Sequence, residues 1–199
     1  MTAFNRECAD DPVAIACRNY ETVLSYQVTL RSRGRNFSEE IRYYYKSGFV
    51  RMEFIKPFSG AVLTYDPARR EARLKPLRPL GRIITLSPDN RLIKSSAGHT
   101  VDVSDIGSLL RAAAMLRANG EAAIVGADDL SGRETILVRV LGKEGVAVSG
   151  VHRYDLWLDK RLYLPLKAAT YDLGDGLIEE ILMDDLEIDV DLPDHLFRL

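Results

Sequence analysis

Ser104 lies between Asp102 and Asp105, with His99 just upstream. A hydroxyl, an imidazole and a carboxylate are the parts of an acyl-transfer site, where the imidazole takes the hydroxyl proton and the acid orients the ring. The glycine-flanked elbow that would hold such a serine on a sharp turn is missing, so a capping or loop role is favoured. Gly142-Lys143-Glu144-Gly145 is too short and too charged to cradle a phosphate and reads as a hairpin turn. The paired acids Glu179-Glu180 and Asp184-Asp185 are sequence neighbours, which a strand points to opposite faces. They cannot share a proton as a catalytic dyad does, and read as solubilising groups. With two cysteines and three scattered histidines, a zinc site is excluded. No cofactor and no catalytic residue is expected.

Cys8 and Cys17 leave two readings open. On one helix they would stand about 13 Å apart along its axis, beyond disulfide reach. A bridge needs the segment before Pro12 to fold back; otherwise both remain thiols. The segment from Arg69 to Arg82 gathers Arg69, Arg70, Arg73, Lys75, Arg78 and Arg82 against Glu71. An anion-binding face and a solvated hairpin are the two readings, the hairpin being the safer. Tyr43-Tyr44-Tyr45 lacks the interleaved basic residues of a base-stacking platform, and tyrosine is simply a good strand residue.

The whole chain sets the bounds. Its 199 residues are 46% apolar and 28% charged with a net charge of −2, which suits one globular domain over residues 1–199. Such a charge supplies no field for nucleic acid, and no apolar run approaches the ~18 residues of a membrane helix. The start, MTAFNRECADD, lacks the basic and apolar regions of a secretory leader.

The elements that would position these residues follow from periodicity. Asp11-Pro12 supplies an N-cap and first-turn pair for a helix reaching to about Leu24. Period-two alternation then marks strands from Tyr26, over Phe37–Tyr45, Phe49–Ile55, Gly60–Tyr65 and Glu71–Lys75, and after two prolines over Arg82–Leu86. Between Ser104 and Asn119 the period becomes helical, with Ile106, Leu109, Leu110, Ala113, Met115 and Leu116 near one stripe, closed by Asn119-Gly120. Strands resume at Ala122–Gly126, Thr135–Leu141 and Val151–Leu158, then at Leu166–Tyr171 and, past the Gly174-Asp175-Gly176 turn, at Leu177–Ile188. From Tyr171 to Leu199, ten Asp and Glu residues face one Arg, the pattern of a solvated outer sheet face. The expected class is α+β, mainly antiparallel β. About ten or eleven twisted strands form an incomplete, half-open barrel with an N-terminal helix and an inserted lid helix.

Phe49-Val50-Arg51-Met52-Glu53-Phe54 before Pro57, Ala61-Val62-Leu63-Thr64-Tyr65-Asp66-Pro67, Tyr154-Asp155-Leu156-Trp157-Leu158-Asp159 through Leu164-Pro165-Leu166-Lys167, and the closing Asp191-Leu192-Pro193-Asp194-His195-Leu196-Phe197 resemble the LolA-like periplasmic lipoprotein carriers. The stretch from Leu77 to His99 departs from the carrier pattern, as in a separate branch of that superfamily.

The resemblance implies a monomeric periplasmic carrier, with no nucleic-acid role, that holds a lipoprotein acyl chain or another lipid in an apolar half-barrel. The alternative is an envelope sensor of the same fold that binds a protein partner. Val50, Met52, Phe54, Leu109, Leu110, Met115 and Leu116 become candidate cavity-wall residues, with plain core packing as the alternative. Lys46, with Arg51 further on, stands nearest the family's basic lid latch.

Overall fold

The computed structural model describes residues 11–76 and 81–199. Two helices and eleven strands follow the chain: α1 (Pro12–Glu21), β1 (Ser25–Gly34), β2 (Phe37–Lys46), β3 (Phe49–Lys56), β4 (Val62–Asp66), β5 (Glu71–Lys75), β6 (Ile84–Leu86), α2 (Ile106–Ala118), β7 (Gly120–Leu130), β8 (Arg133–Gly142), β9 (Arg153–Asp159), β10 (Pro165–Tyr171) and β11 (Leu177–Ile188). The strands make one antiparallel sheet in the order β6-β5-β4-β3-β2-β1-β11-β10-β9-β8-β7, with β6 and β7 at its ends. The sheet is not closed into a barrel, and the expected α+β class with an inserted helix stands. The chain divides into two compact units, one comprising residues up to Thr22 with Ile106–Ile181, the other Val23–Asp105 with Leu182–Leu199.

In the first unit, Asp11 does two things at once. One carboxylate oxygen accepts the Val13 N–H at 3.1 Å, capping α1, and the other takes Nε of Arg117 in the last turn of α2 at 2.7 Å. Helix α1 stops at Glu21, short of the expected Leu24, because the Thr22 hydroxyl and N–H both turn back to the Asn19 carbonyl. Its buried Val13, Ala16 and Tyr20 and the Ile106, Leu110, Ala113 and Leu116 stripe of α2 follow helical spacing. Strand residues Val138, Val140, Tyr154, Leu156 and Leu158 complete this core. Burying each such side chain is worth about 2 kcal/mol.

Three local expectations change here. Gly120 does not cap α2 in the left-handed region; it opens β7 directly, and a Cβ there would lie 2.0 Å from the Leu141 carbonyl oxygen. Close backbone approach is what demands glycine. Strands β7 and β8 run longer than alternation suggested, since Ser131 and Gly132, at φ 55° and 80°, turn a tight hairpin beyond the expected break at Gly126. At the Gly174-Asp175-Gly176 turn, Asp175 rather than a glycine takes positive φ, and an Asp172 oxygen accepts the Gly174 and Gly176 N–H groups at 2.8 Å each.

The second unit is a meander. Register pairs set Val28 opposite Tyr43, Tyr43 opposite Met52, and Met52 opposite Leu63, so one face carries a continuous apolar row. Tyr26 stacks at 5.8 Å on Tyr43 and at 5.0 Å on Tyr45. Ser47 and Gly48, at φ 48° and 89°, make the β2–β3 hairpin. On the opposite face a 3-10 turn at Asp194–Phe197 seats Phe197 against Phe49 at 6.1 Å.

Candidate binding surfaces

The residues nominated for chemistry fold into structural roles. Ser104 Oγ donates to the Val101 carbonyl at 2.7 Å and lies 3.1 Å from the Tyr43 hydroxyl, which ties its loop to β2. Burial pushes the Tyr43 phenol far above its ordinary pKa, so it stays protonated. Glu180 pairs with Lys167 at 3.1 Å and Asp184 with Arg31 at 2.8 Å, while Glu179 is buried. The acidic stretch is therefore not wholly a wet outer face. Lys143 to Val146 forms a turn, as expected.

Strand β9 carries a second departure from simple alternation. Asp155 and Asp159, on the face opposite Leu156 and Leu158, are only 4% and 3% exposed. Asp155 receives two hydrogen bonds from Arg139, from Nε at 2.7 Å and Nη2 at 2.9 Å, across the β8–β9 register pair. Asp159 takes Nε of Arg133 at 2.8 Å and the N–H groups of Arg161 and Leu162 at 2.8 Å each. Burial alone would raise the Asp159 pKa, but these donors and the Arg133 charge outweigh it and hold the carboxyl below its ordinary value. Lys167 sits 4.4 Å over the Trp157 ring. A pocket beside Asp159 is lined by Gly132, Arg133, Glu134, Lys160, Arg161 and Leu162, four of them charged.

The cavity-wall candidates separate by exposure. Val50 and Met52 are buried on the apolar face of β3, and Phe54 is half-buried against Phe58 at 6.4 Å. Leu110 and Leu116 are fully buried in α2, Leu109 is half-buried, and Met115 is 60% exposed. Lys46 and Arg51 are both engaged by the C-terminal segment. Lys46 Nζ reaches the Leu192 carbonyl at 2.7 Å and Asp194 at 2.8 Å, and Arg51 Nη1 reaches the Leu196 carbonyl at 2.8 Å. They fasten the Asp194–Phe197 turn, and α2 is not their partner in these bonds. The disulfide expectation rests on Cys8, which lies outside the described residues; the Cys17 thiol lies 3.8 Å from the Leu110 carbonyl, and burial raises its pKa. Within the basic segment, Arg78 also lies outside them, Arg69 contacts Asp66 and Arg73 pairs with Glu71.

Periodicity alone missed the exposure of β7. From Ala123 to Asp129 seven consecutive residues are exposed, Ile124 by 57% and Val125 by 48%, at the terminal position of the sheet. Its signal was present in the sequence as Ala122-Ala123-Ile124-Val125-Gly126-Ala127, an apolar run with no charged face.

The architecture is an open antiparallel sheet with one N-terminal and one inserted helix. The chain belongs to the MucB/RseB N-terminal domain family, whose profile matches residues 75–198. None of the curated proteins matches it in sequence. The solved MucA/MucB complex of Pseudomonas aeruginosa is similar in fold at a TM-score of 0.56 and 15% identity, covering 97% of this chain and 61% of that one. The chain thus spans about three-fifths of MucB. Lipoprotein LppX of Mycobacterium tuberculosis aligns at a TM-score of 0.53 and 9% identity over 92% of this chain and 96% of its own. A LolA superfamily protein from Nitrosomonas europaea also matches, at 0.40 and 14% identity over 94% and 96% of the two chains. Among the described residues, no helix is long and apolar enough to cross a membrane.

Proposed function

We propose that this chain is a non-catalytic periplasmic binding module that engages an envelope protein partner, its two units acting as a single domain of the MucB/RseB type. One observation carries the reading: the family match over residues 75–198 joins it to a fold solved, as MucB, in complex with MucA. The packing agrees with it. Val50, Leu110 and Leu116, nominated for an acyl chain, are at most 2% exposed and already filled by protein neighbours, whereas free apolar surface lies on strand β7. Calorimetric titration of the purified chain with the periplasmic segment of a MucA homologue from the same genome tests this. Micromolar or tighter binding that survives delipidation supports it, and no binding overturns it.

Carriage of a lipid is the second reading, favoured by the continuous apolar row on β1 to β4. Each buried methylene would contribute about 0.8 kcal/mol. Native mass spectrometry after exposure to a fluorescent fatty acid separates the two, since a carrier retains the lipid and a partner-binding module does not.

A further inference from the structure

Among the described residues, strand β7 is an open edge. It pairs with β8 on one side and is terminal in the sheet, so its other side presents backbone N–H and C=O groups that no described strand pairs. Proteins ordinarily blunt such an edge by keeping it short or by placing lysine or proline on it. The opposite edge, β6, is three residues long. Strand β7 runs for eleven residues, with no proline, lysine or arginine in it. Of the usual devices it carries a bulge, where the register passes from Ile124 opposite Val138 to Gly126 opposite Leu137 and leaves Val125 over. The bulge breaks the alternation and leaves two adjacent branched apolar side chains, Ile124 and Val125, exposed at the centre of the edge.

Charge narrows the occupant. Glu121 precedes the apolar run and Asp128 and Asp129 follow it, all three exposed. The arginines of the neighbouring strand do not offset them, because Arg133 is committed to Asp159 and Arg139 to Asp155. A second copy of this chain is a poor fit. Antiparallel self-pairing centred on Val125 would set Glu121 directly against Asp129, and centred on Ile124 diagonally against it, and two-fold symmetry would repeat the clash. An extended segment of another protein, apolar at its centre and basic at both ends, meets the free backbone, the two side chains and the carboxylates together.

We propose that β7 is a docking edge at which an extended, basic-flanked peptide segment adds as a further antiparallel strand. This deepens the partner-binding reading, on which it rests, by naming its site and ligand class.

The full chain is titrated with a synthetic peptide of alternating Val and Thr carrying Lys at both ends, and with the same peptide carrying Asp at both ends, while amide exchange is followed by NMR. The Lys-flanked peptide should bind about tenfold more tightly than the Asp-flanked one, weaken with added salt, and slow exchange of amides between Glu121 and Asp129. The double variant Glu121→Lys, Asp128→Lys should reverse the preference. Ile124→Lys should lower affinity about tenfold with unchanged circular dichroism, since its side chain is exposed. Peptide binding that leaves the β7 amides unprotected, failure of both peptides to bind, or dimerisation of the chain through β7 would each overturn the site. If the MucA-like segment nevertheless binds the intact chain, the partner-binding reading stands without it.

Discussion

Tyr43 donates its phenolic hydrogen to Ser104. The Ser104 hydroxyl spends its own hydrogen on the Val101 carbonyl at 2.7 Å, so across the 3.1 Å separation the tyrosine is the donor. A serine flanked by acids and a histidine thus serves as the post that holds the loop before α2 to the second strand. Tyr43→Phe removes this bond and should cost about 1 kcal/mol in urea denaturation, while Ser104→Ala also gives up the Val101 bond and should cost more. The double variant should cost little more than Ser104→Ala alone, because the Tyr43–Ser104 contact is already lost there.

Leu116 and Met115 are neighbours with opposite surroundings, fully buried and 60% exposed. Leu116→Ala should cost about 3 kcal/mol through lost packing, while Met115→Ala should stay within about 0.5 kcal/mol. Thermal unfolding reads both. A Leu116→Ala protein of unchanged stability and reduced fatty-acid uptake would instead make Leu116 a cavity wall.

Gly120 joins α2 to β7 without a connecting loop, and a methyl group there would meet the Leu141 carbonyl oxygen at 2.0 Å. Backbone cannot step aside as a flexible side chain can. Gly120→Ala should therefore destabilise by about 3 kcal/mol, whereas Gly132→Ala, with open space around its Cβ, should show only the milder strain of its φ of 80°. Denaturant midpoints compared at one temperature decide it.

Asp159 gives the fold an acid-sensitive contribution. Its folded pKa lies below the unfolded value, so the carboxylate stabilises at neutral pH; that contribution is whole above about pH 4 and fades as pH falls through the folded pKa. Asp159→Asn should cost about 1.5 kcal/mol at neutral pH, with the gap to the parent protein closing in acid. Urea denaturation at neutral pH and near pH 3 measures it, and a gap independent of pH would refute the assignment.

Arg51 and Lys46 hold the same C-terminal turn with different strength. The Arg51 side chain is 17% exposed, while Lys46 and its partner Asp194 are 36% and 77% exposed. Lys46→Ala should change stability by less than about 0.5 kcal/mol, and Arg51→Ala should cost about 1.5 kcal/mol. Faster amide exchange at Leu196 in Arg51→Ala would localise the effect to that turn.

Local pattern carried the order of elements, the strands over Phe37–Tyr45 and Glu71–Lys75, the capped helix at Pro12 and the inserted helix near Ile106. Each depends on side-chain period, turn residues or caps that act over a few positions. It also carried the likeness to lipoprotein carriers. What it could not supply depends on groups distant in the chain. Asp155 and Asp159 look like solvent-facing acids until cross-strand arginines cover them. Gly120 looks like a helix cap until the Leu141 carbonyl arrives beside it. Lys46 and Arg51 find their acceptors about 145 residues further along, at Leu192, Asp194 and Leu196. Whether Ala122–Ala127 becomes a buried strand or an edge is settled by its place in the sheet order, because among the described residues only β8 pairs with it.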